Sequence, residues 1–218
     1  MNENKAAKRS RQPDSPPAEA NARTRIFLAA EALVAERGFD AVSSRDITAR
    51  AGVNLGAINY HYRSKHELLL EIFRTRAGEL NRERQAMLRA ALAQKPVSAR
   101  TILRALIEPP TLWSSDERRT ALTYLNRARR EGPSEVREII RADVRHLRRF
   151  ATALESALPE VSREEILWRL HFTLGVLHHN SAADYERLAL LSDGQCAPDD
   201  REALLARLLA FITAGFGV

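Results

Sequence analysis

Apolar residues along this chain recur at helical spacing rather than in strand-like alternation. Between Asn21 and Arg37, Ile26, Ala30, Leu33 and Val34 make one stripe among charged positions, as expected for a helix with one buried face. Gly38 follows where a left-handed residue ends a helix, and Phe39 is placed to pack back onto it. "SSRD" opens a second helix, with Ser43 and Asp46 at capping-box spacing and Ile47 and Ala51 turned inward. Gly52 supplies a tight turn, and a third helix runs from about Leu55 to Tyr62. In "SKHE", Ser64 is the N-cap and Glu67 the third helical residue. That cap begins a long helix, Lys65 to Ala93, in which Leu68, Leu69, Ile72, Phe73, Leu80 and Leu88 alternate with charge.

Beyond Pro96 the pattern predicts a second helical region. Its segments lie near Ser98–Glu108, Asp116–Arg130, Pro133–Leu158, Ser162–Tyr185 and Asp199–Phe216, divided by "PP", "GP", "LPE" and the loop around Cys196. "SREE", from Ser162 to Glu165, is a third capping-box candidate. The last two segments are apolar on more than one face and need partners on two sides. No window has the β-branched, period-two character of a sheet. The expected fold is all-α with about nine helices. A tail over residues 1–20 precedes a three-helix unit over 21–66, and a larger bundle spans 67–218, the long helix bridging the two.

Composition narrows the function classes. Hydrophobic residues make up 44% of the 218, enough for a core. Lys plus Arg total 34 against 28 Asp plus Glu, a net charge of +6, which suits a polyanionic partner only weakly because Arg is spread along the whole chain. The tail carries Lys5, Lys8, Arg9 and Arg11 before Pro13, Pro16 and Pro17. It is expected to be disordered, either a solvated segment or a basic arm touching DNA. A single cysteine, Cys196, forbids an internal disulfide. No apolar run reaches the length of a membrane span, and the N-terminus has no signal-peptide core; a cytoplasmic location is expected.

The chemistry concentrates in "GVNLGAINYHYRSKHELL", Gly52 to Leu69. The second helix, Gly52 and the third helix read as a helix-turn-helix, with Ile47, Ala51, Val53 and Ile58 at the crossing. This leaves the opening of the third helix exposed, the part able to enter a major groove. Asn54, Leu55, Gly56, Ala57 and Asn59 stand where close approach is needed, and Asn is suited to an adenine edge. Ser44, Arg45, Tyr60, His61, Arg63 and Lys65 are candidates for phosphate oxygens, which position a protein without reading sequence. The other reading of this density is the polar face of an ordinary helical hairpin.

"SSRDITARAGVNLGAINYHYRSKHELL", Ser43 to Leu69, resembles the DNA-binding domain of TetR-like transcriptional regulators, and the organisation matches over roughly residues 21–75. Thr48 stands where a small alanine is usual, and Asn59 where many members have tyrosine, so Tyr60 is the candidate for the aromatic phosphate contact. "NLGAINYH", "LWRLHFTLG" and "FITAGF" are also similar to a fatty-acid-responsive branch of these repressors. The resemblance implies a homodimer on double-stranded operator DNA, released by a hydrophobic small molecule, with a fatty acid or acyl thioester favoured, and no enzymatic activity. The long helix is the expected lever between ligand and DNA.

In the second region, Trp113, Tyr124, Phe150, Trp168, His171 and Phe172 are candidate cavity-lining residues, although large aromatics serve equally as core. Gly175, Val176, His179, Ala206, Leu209, Ala210 and Phe211 are candidates for the dimer interface. His171, His178 and His179 share one helix, but no H-E-x-x-H and no Cys cluster accompanies them; neither metal nor cofactor is expected. The competing class is a helical lipid- or ligand-binding protein without a DNA-binding role.

Overall fold

The computed structural model describes residues 18–142, 144–178, 182–196 and 200–218. Among these residues there are eleven α-helices and no strand, so the all-α expectation holds. They are α1 (Ala18–Arg37), α2 (Ser44–Ala51), α3 (Gly56–Tyr62), α4 (Lys65–Ala93), α5 (Ala99–Leu112), α6 (Asp116–Glu131), α7 (Ser134–Ala142), α8 (Arg145–Ala157), α9 (Arg163–His178), α10 (Ala182–Leu191) and α11 (Arg201–Gly215). None of the helices is long and apolar enough to cross a membrane, among the described residues. The tail residues 1–17 and His179 lie outside the described residues.

The early helix boundaries follow from local chemistry. Ser43 Oγ accepts the Asp46 N–H at 3.2 Å and the Asp46 carboxylate accepts the Ser43 N–H at 2.8 Å, a complete capping box. Gly52 closes α2 at φ 63°. The Val53 N–H then reaches back to Thr48 O at 3.0 Å, the reverse-turn bond of a Schellman ending. Ser64 Oγ caps α4 by accepting the Glu67 N–H at 3.1 Å, and Ser162 Oγ caps α9 by accepting that of Glu165 at 3.2 Å.

Two apolar clusters form. The first collects Ile26, Leu33, Ile47, Ile58, Leu68 and Phe73 from α1 to α4, and draws in Trp113, Tyr124, Leu125 and Val136 from much later in the chain. The packing therefore crosses the expected 66/67 boundary: α6 and α7 lean on the head. The second cluster holds Leu88 with α5, α8, α9 and α11. Only α4 runs through both.

Eleven helices replace the expected nine. The Pro133–Leu158 segment divides because its two halves serve different cores, Val136 and Ile139 the first and Leu147, Phe150 and Leu154 the second. The Ser162–Tyr185 segment divides into α9 and α10. The "PP" break is also corrected. α5 continues through Pro109 and Pro110 to Leu112. Pro110 has no N–H for the Leu106 carbonyl, but Arg84 Nε of α4 donates to that carbonyl at 2.9 Å. A donor from another helix fills the gap that proline leaves.

α4 carries a second buried arginine two turns earlier. Arg76 donates to Glu31 of α1 at 2.7 and 2.8 Å, to Glu79 at 3.0 Å and to Glu117 of α6 at 2.8 Å. Burial works against the Arg76 charge, but these bonds outweigh it and hold the guanidinium above its ordinary value. Burial pushes the Glu31 carboxyl up, offset in part by Arg76. Glu31→Ala removes two of the four hydrogen bonds to Arg76 but leaves it Glu79 and Glu117, so it is expected to cost about 1–3 kcal/mol. Replacing both, Glu31→Leu with Arg76→Met, should recover most of that loss in urea denaturation. A double variant no more stable than the single one would contradict the pairing.

Candidate nucleic-acid interface and inner cavity

α3 is short and turns two residues inward, Ile58 and Tyr62, one helical turn apart. The Tyr62 hydroxyl donates to Arg23 O at 2.8 Å, and the Arg23 guanidinium lies over the Tyr62 ring while pairing with Glu71 at 2.6 Å. These contacts bind α3 to α1 and α4, and the opposite face is left to solvent. Asn54, Leu55, Gly56, Asn59 and Tyr60 are exposed there, Tyr60 by 73%. Ala57 is half-buried against the hinge. His61 is half-buried, its ring edge-on to Tyr60 at 4.9 Å. Thr48 fits its buried site because its hydroxyl donates back to Ser44 O at 3.0 Å.

The charged candidates separate by what already holds them. Arg45 and Arg63 are exposed and meet no carboxylate among the described residues. Ser44 is half-buried at the first turn of α2. Lys65 is folded inward: its ammonium donates to the Val42 carbonyl, tying the start of α4 to the α1–α2 loop. The sequence reading omitted Arg25. It is exposed, unpaired among the described residues, and its Nη1 comes within 4.0 Å of where a side chain on Gly52 would begin. Arg50, by contrast, is held by Glu36 at 2.7 Å. Arg25, Arg45 and Arg63 thus leave the head with guanidinium groups free to meet an anion.

At the far side of α6 lies a cavity of about 410 Å³. Trp113 lines it, and its indole N–H donates to Glu83 at 2.8 Å. The other aromatic candidates stand elsewhere. Tyr124 is fully buried in the first cluster, its hydroxyl donating to Leu69 O at 2.6 Å. Phe150 is fully buried in the second. Trp168 and Phe172 stack on one another at 5.9 Å on the solvent face of α9, with His171 beside them. That face continues past Gly175, where an added side chain would meet no other element within 4 Å, and the half-buried Val176. On α11, Ala206, Ala210 and Phe211 are exposed, whereas Leu209 points into the second core.

Among the cavity residues that sequence reasoning missed are Arg84 and Arg129. A signal for the first existed. Arg76, Leu80, Arg84 and Leu88 recur every four residues, so both arginines fall on the apolar stripe of α4 rather than on its wet face.

Residues 26–72 match the family model described as bacterial regulatory proteins, tetR family, and residues 104–215 match the tetracyclin repressor-like C-terminal domain. The chain is 30% identical over 122 residues to the HTH-type transcriptional repressor BepR of Brucella suis biovar 1 (strain 1330), covering 56% of each protein. It thus spans little more than half the length of that relative. A TetR-like transcriptional regulator from Rhodococcus sp. RHA1 superposes with a TM-score of 0.62 at 20% identity, covering 94% of this chain and all of that one. The fatty acid degradation regulator FadR from Bacillus halodurans gives 0.60 at 17%, covering 92% and 96%. At these identities the likeness is one of fold.

Arg63 joins α3 to α4 at φ 70°, a left-handed conformation unusual for a residue with a side chain. Such strain costs on the order of 1–3 kcal/mol, while glycine's extra unfolded-state freedom costs about 0.5–1 kcal/mol. Arg63→Gly is therefore expected to stabilise the fold by about 1 kcal/mol in denaturant titration. Destabilisation would mean that the Arg63 side chain holds the turn.

Proposed function

The chain belongs to the TetR family of bacterial regulatory proteins, and from that premise we propose that it is a dimeric transcriptional repressor whose α3 enters the major groove of operator DNA. The observation that carries this reading is the exposed face of α3 beside three unpaired guanidinium groups, Arg25, Arg45 and Arg63, over a rigid hinge of Ile47, Ile58 and Tyr62. In this reading Asn54 and Asn59 meet base edges, while Leu55, Gly56 and Ala57 permit close approach. Arg25, Arg45 and Arg63 meet phosphates as cations, joined by Ser44, Tyr60 and His61. Lys65 acts from behind by fixing the α1–α2 loop.

The functional division is at 66/67, with α4 bridging. One short recognition helix covers few base pairs, so a two-fold dimer presents two, about one helical turn of DNA apart or a multiple of it. The exposed faces of α9 and α11, with Gly175, Val176, Ala206, Ala210 and Phe211, are the proposed interface. The 410 Å³ cavity is of a size for one small molecule. A fatty acid or acyl thioester is the proposed inducer, on the resemblance to the fatty-acid-responsive branch. The B. halodurans neighbour named as a regulator of fatty acid degradation has the same fold. Filling the cavity shifts α4 and α6, both of which line it and both of which pack on the head. The half-sites then fall out of register.

Operator fragments selected from random duplexes provide the test. Six phosphate contacts, three per protomer, predict a slope of log affinity against log salt of about −5. Arg45→Ala should flatten it by about one for each phosphate no longer neutralised. Asn59→Ala should change sequence preference, by roughly 1–3 kcal/mol at one base pair, whereas Lys65→Ala should weaken every sequence alike. A shallow slope and an unchanged affinity in all three variants would favour a ligand-binding protein with no DNA role. Light scattering is expected to give a dimer at micromolar concentration, and Phe211→Asp a monomer. A wild-type monomer would remove the two-fold model.

A further inference from the structure

The two buried arginines of α4 differ in one respect. Arg76 meets three carboxylates, and Arg84, two turns on and only 4% exposed, meets none. Its Nε is occupied by the Leu106 carbonyl. Its remaining N–H groups have no protein acceptor among the described residues, yet no buried polar side-chain atom is left unsatisfied there, so these groups open onto the cavity they line. Arg129 of α6 lines the same cavity. It donates to Asn126 at 3.3 Å, lies 6.0 Å from the Phe73 ring centre, and also has no carboxylate partner among the described residues. Burial pushes the Arg84 guanidinium down to about 9, with the Arg129 charge adding to the shift, and burial pushes Arg129 down to about 10. Both remain cationic at neutral pH. Arg119, Arg130 and Arg201 stand around the same space, and none of the lining residues whose side chains are described is an Asp or Glu.

Two like charges held together in a desolvated site are costly without a counter-charge. A cavity lined by arginines and by Leu80, Trp113, Leu122, Leu177, Leu204 and Leu208 asks for a ligand with both characters. We propose that the effector is an amphipathic anion, its carboxylate or phosphate head held between Arg84 and Arg129 and its apolar body against the leucines and Trp113. This rests on the ligand-responsive reading above and narrows it, because a neutral apolar molecule leaves both guanidinium groups uncompensated. Arg129 also gives the head group a route to the DNA-binding end, since its other neighbour is Phe73 of the first cluster.

Calorimetry on the full chain with matched probes tests the proposal. The probes are decanoate and methyl decanoate, 2-naphthoate and its methyl ester, decyl phosphate, and decanoyl-coenzyme A. At least one anion is expected to bind more tightly than its uncharged ester by roughly tenfold or more, the scale of a charge-assisted hydrogen bond. Decanoate ahead of decyl phosphate assigns a carboxylate head; the reverse order, or binding of the coenzyme A thioester alone, assigns a phosphate. Arg84→Met strips the Leu106 carbonyl of its donor and risks the fold, so Arg129→Gln is the primary variant. It should keep its helical circular dichroism and lose most of the preference for acid over ester. Esters binding as tightly as acids, an unchanged preference in Arg129→Gln, or no binding by any anion would overturn the proposal. These titrations contain no DNA. Loss of anion binding with intact duplex binding sinks this inference alone, and intact anion binding without duplex binding sinks the regulator reading alone.

Discussion

The cost of taking a guanidinium out of water governs α4, and α4 governs the rest of the molecule. The helix runs unbroken from the foot of α3 to the second core. Its buried stripe places an arginine in each half. At Arg76 the cost is met within the chain: Glu31 from α1, Glu79 from α4 itself and Glu117 from α6 converge on one side chain. That convergence fixes the angle between α1, which carries the helix-turn-helix, and α6. At Arg84 the chain supplies only a carbonyl, and that carbonyl is free because Pro110 cannot bond it. The first arginine makes a rigid joint. The second makes a site that is complete only when something else brings the negative charge.

α6 packs in the first cluster and also borders the cavity. Its Tyr124 reaches the Leu69 carbonyl on α4 and its ring meets Phe39 at 5.4 Å. One turn away, Asn126 and Arg129 face the cavity. A change in the cavity thus has a short path to the head through packed side chains, without a long chain of intermediates. In the proposed mechanism α6 joins α4, the expected lever: Glu117 of α6 bonds Arg76 of α4 and both helices line the cavity, so that a ligand between Arg84 and Arg129 would act on both.

What could be read in the sequence was what neighbouring residues decide. Ser43 with Asp46, Gly52, and Ser64 with Glu67 mark their helix ends because capping and left-handed turns act over a few residues. The outward Asn54, Asn59 and Tyr60 follow from the inward Ile58 and Tyr62. What could not be read depends on partners far along the chain. Pro109 and Pro110 looked like a break because the donor that rescues α5 sits on α4. The bond from the Lys65 ammonium to the Val42 carbonyl was not legible because its acceptor lies across a loop. Tyr124 and Phe150 looked like cavity walls because a buried aromatic and a ligand-facing one have the same spacing. Arg84 and Arg129 passed as ordinary members of an arginine-rich chain, although the four-residue recurrence of Arg76, Leu80, Arg84 and Leu88 carried the signal.

In the proposed mechanism, occupancy of the cavity and the setting of α3 on DNA are one equilibrium. Coupling free energies are reciprocal, so the most direct measurement is a closed thermodynamic cycle with a tight-binding anion and an operator fragment. Operator affinity is measured with the cavity empty and filled, and anion affinity with the protein free and on DNA. The anion is expected to weaken operator binding by roughly five- to hundredfold, and DNA to weaken anion binding by the same factor. An anion that binds at Arg84 and Arg129 yet leaves operator affinity unchanged would contradict that mechanism.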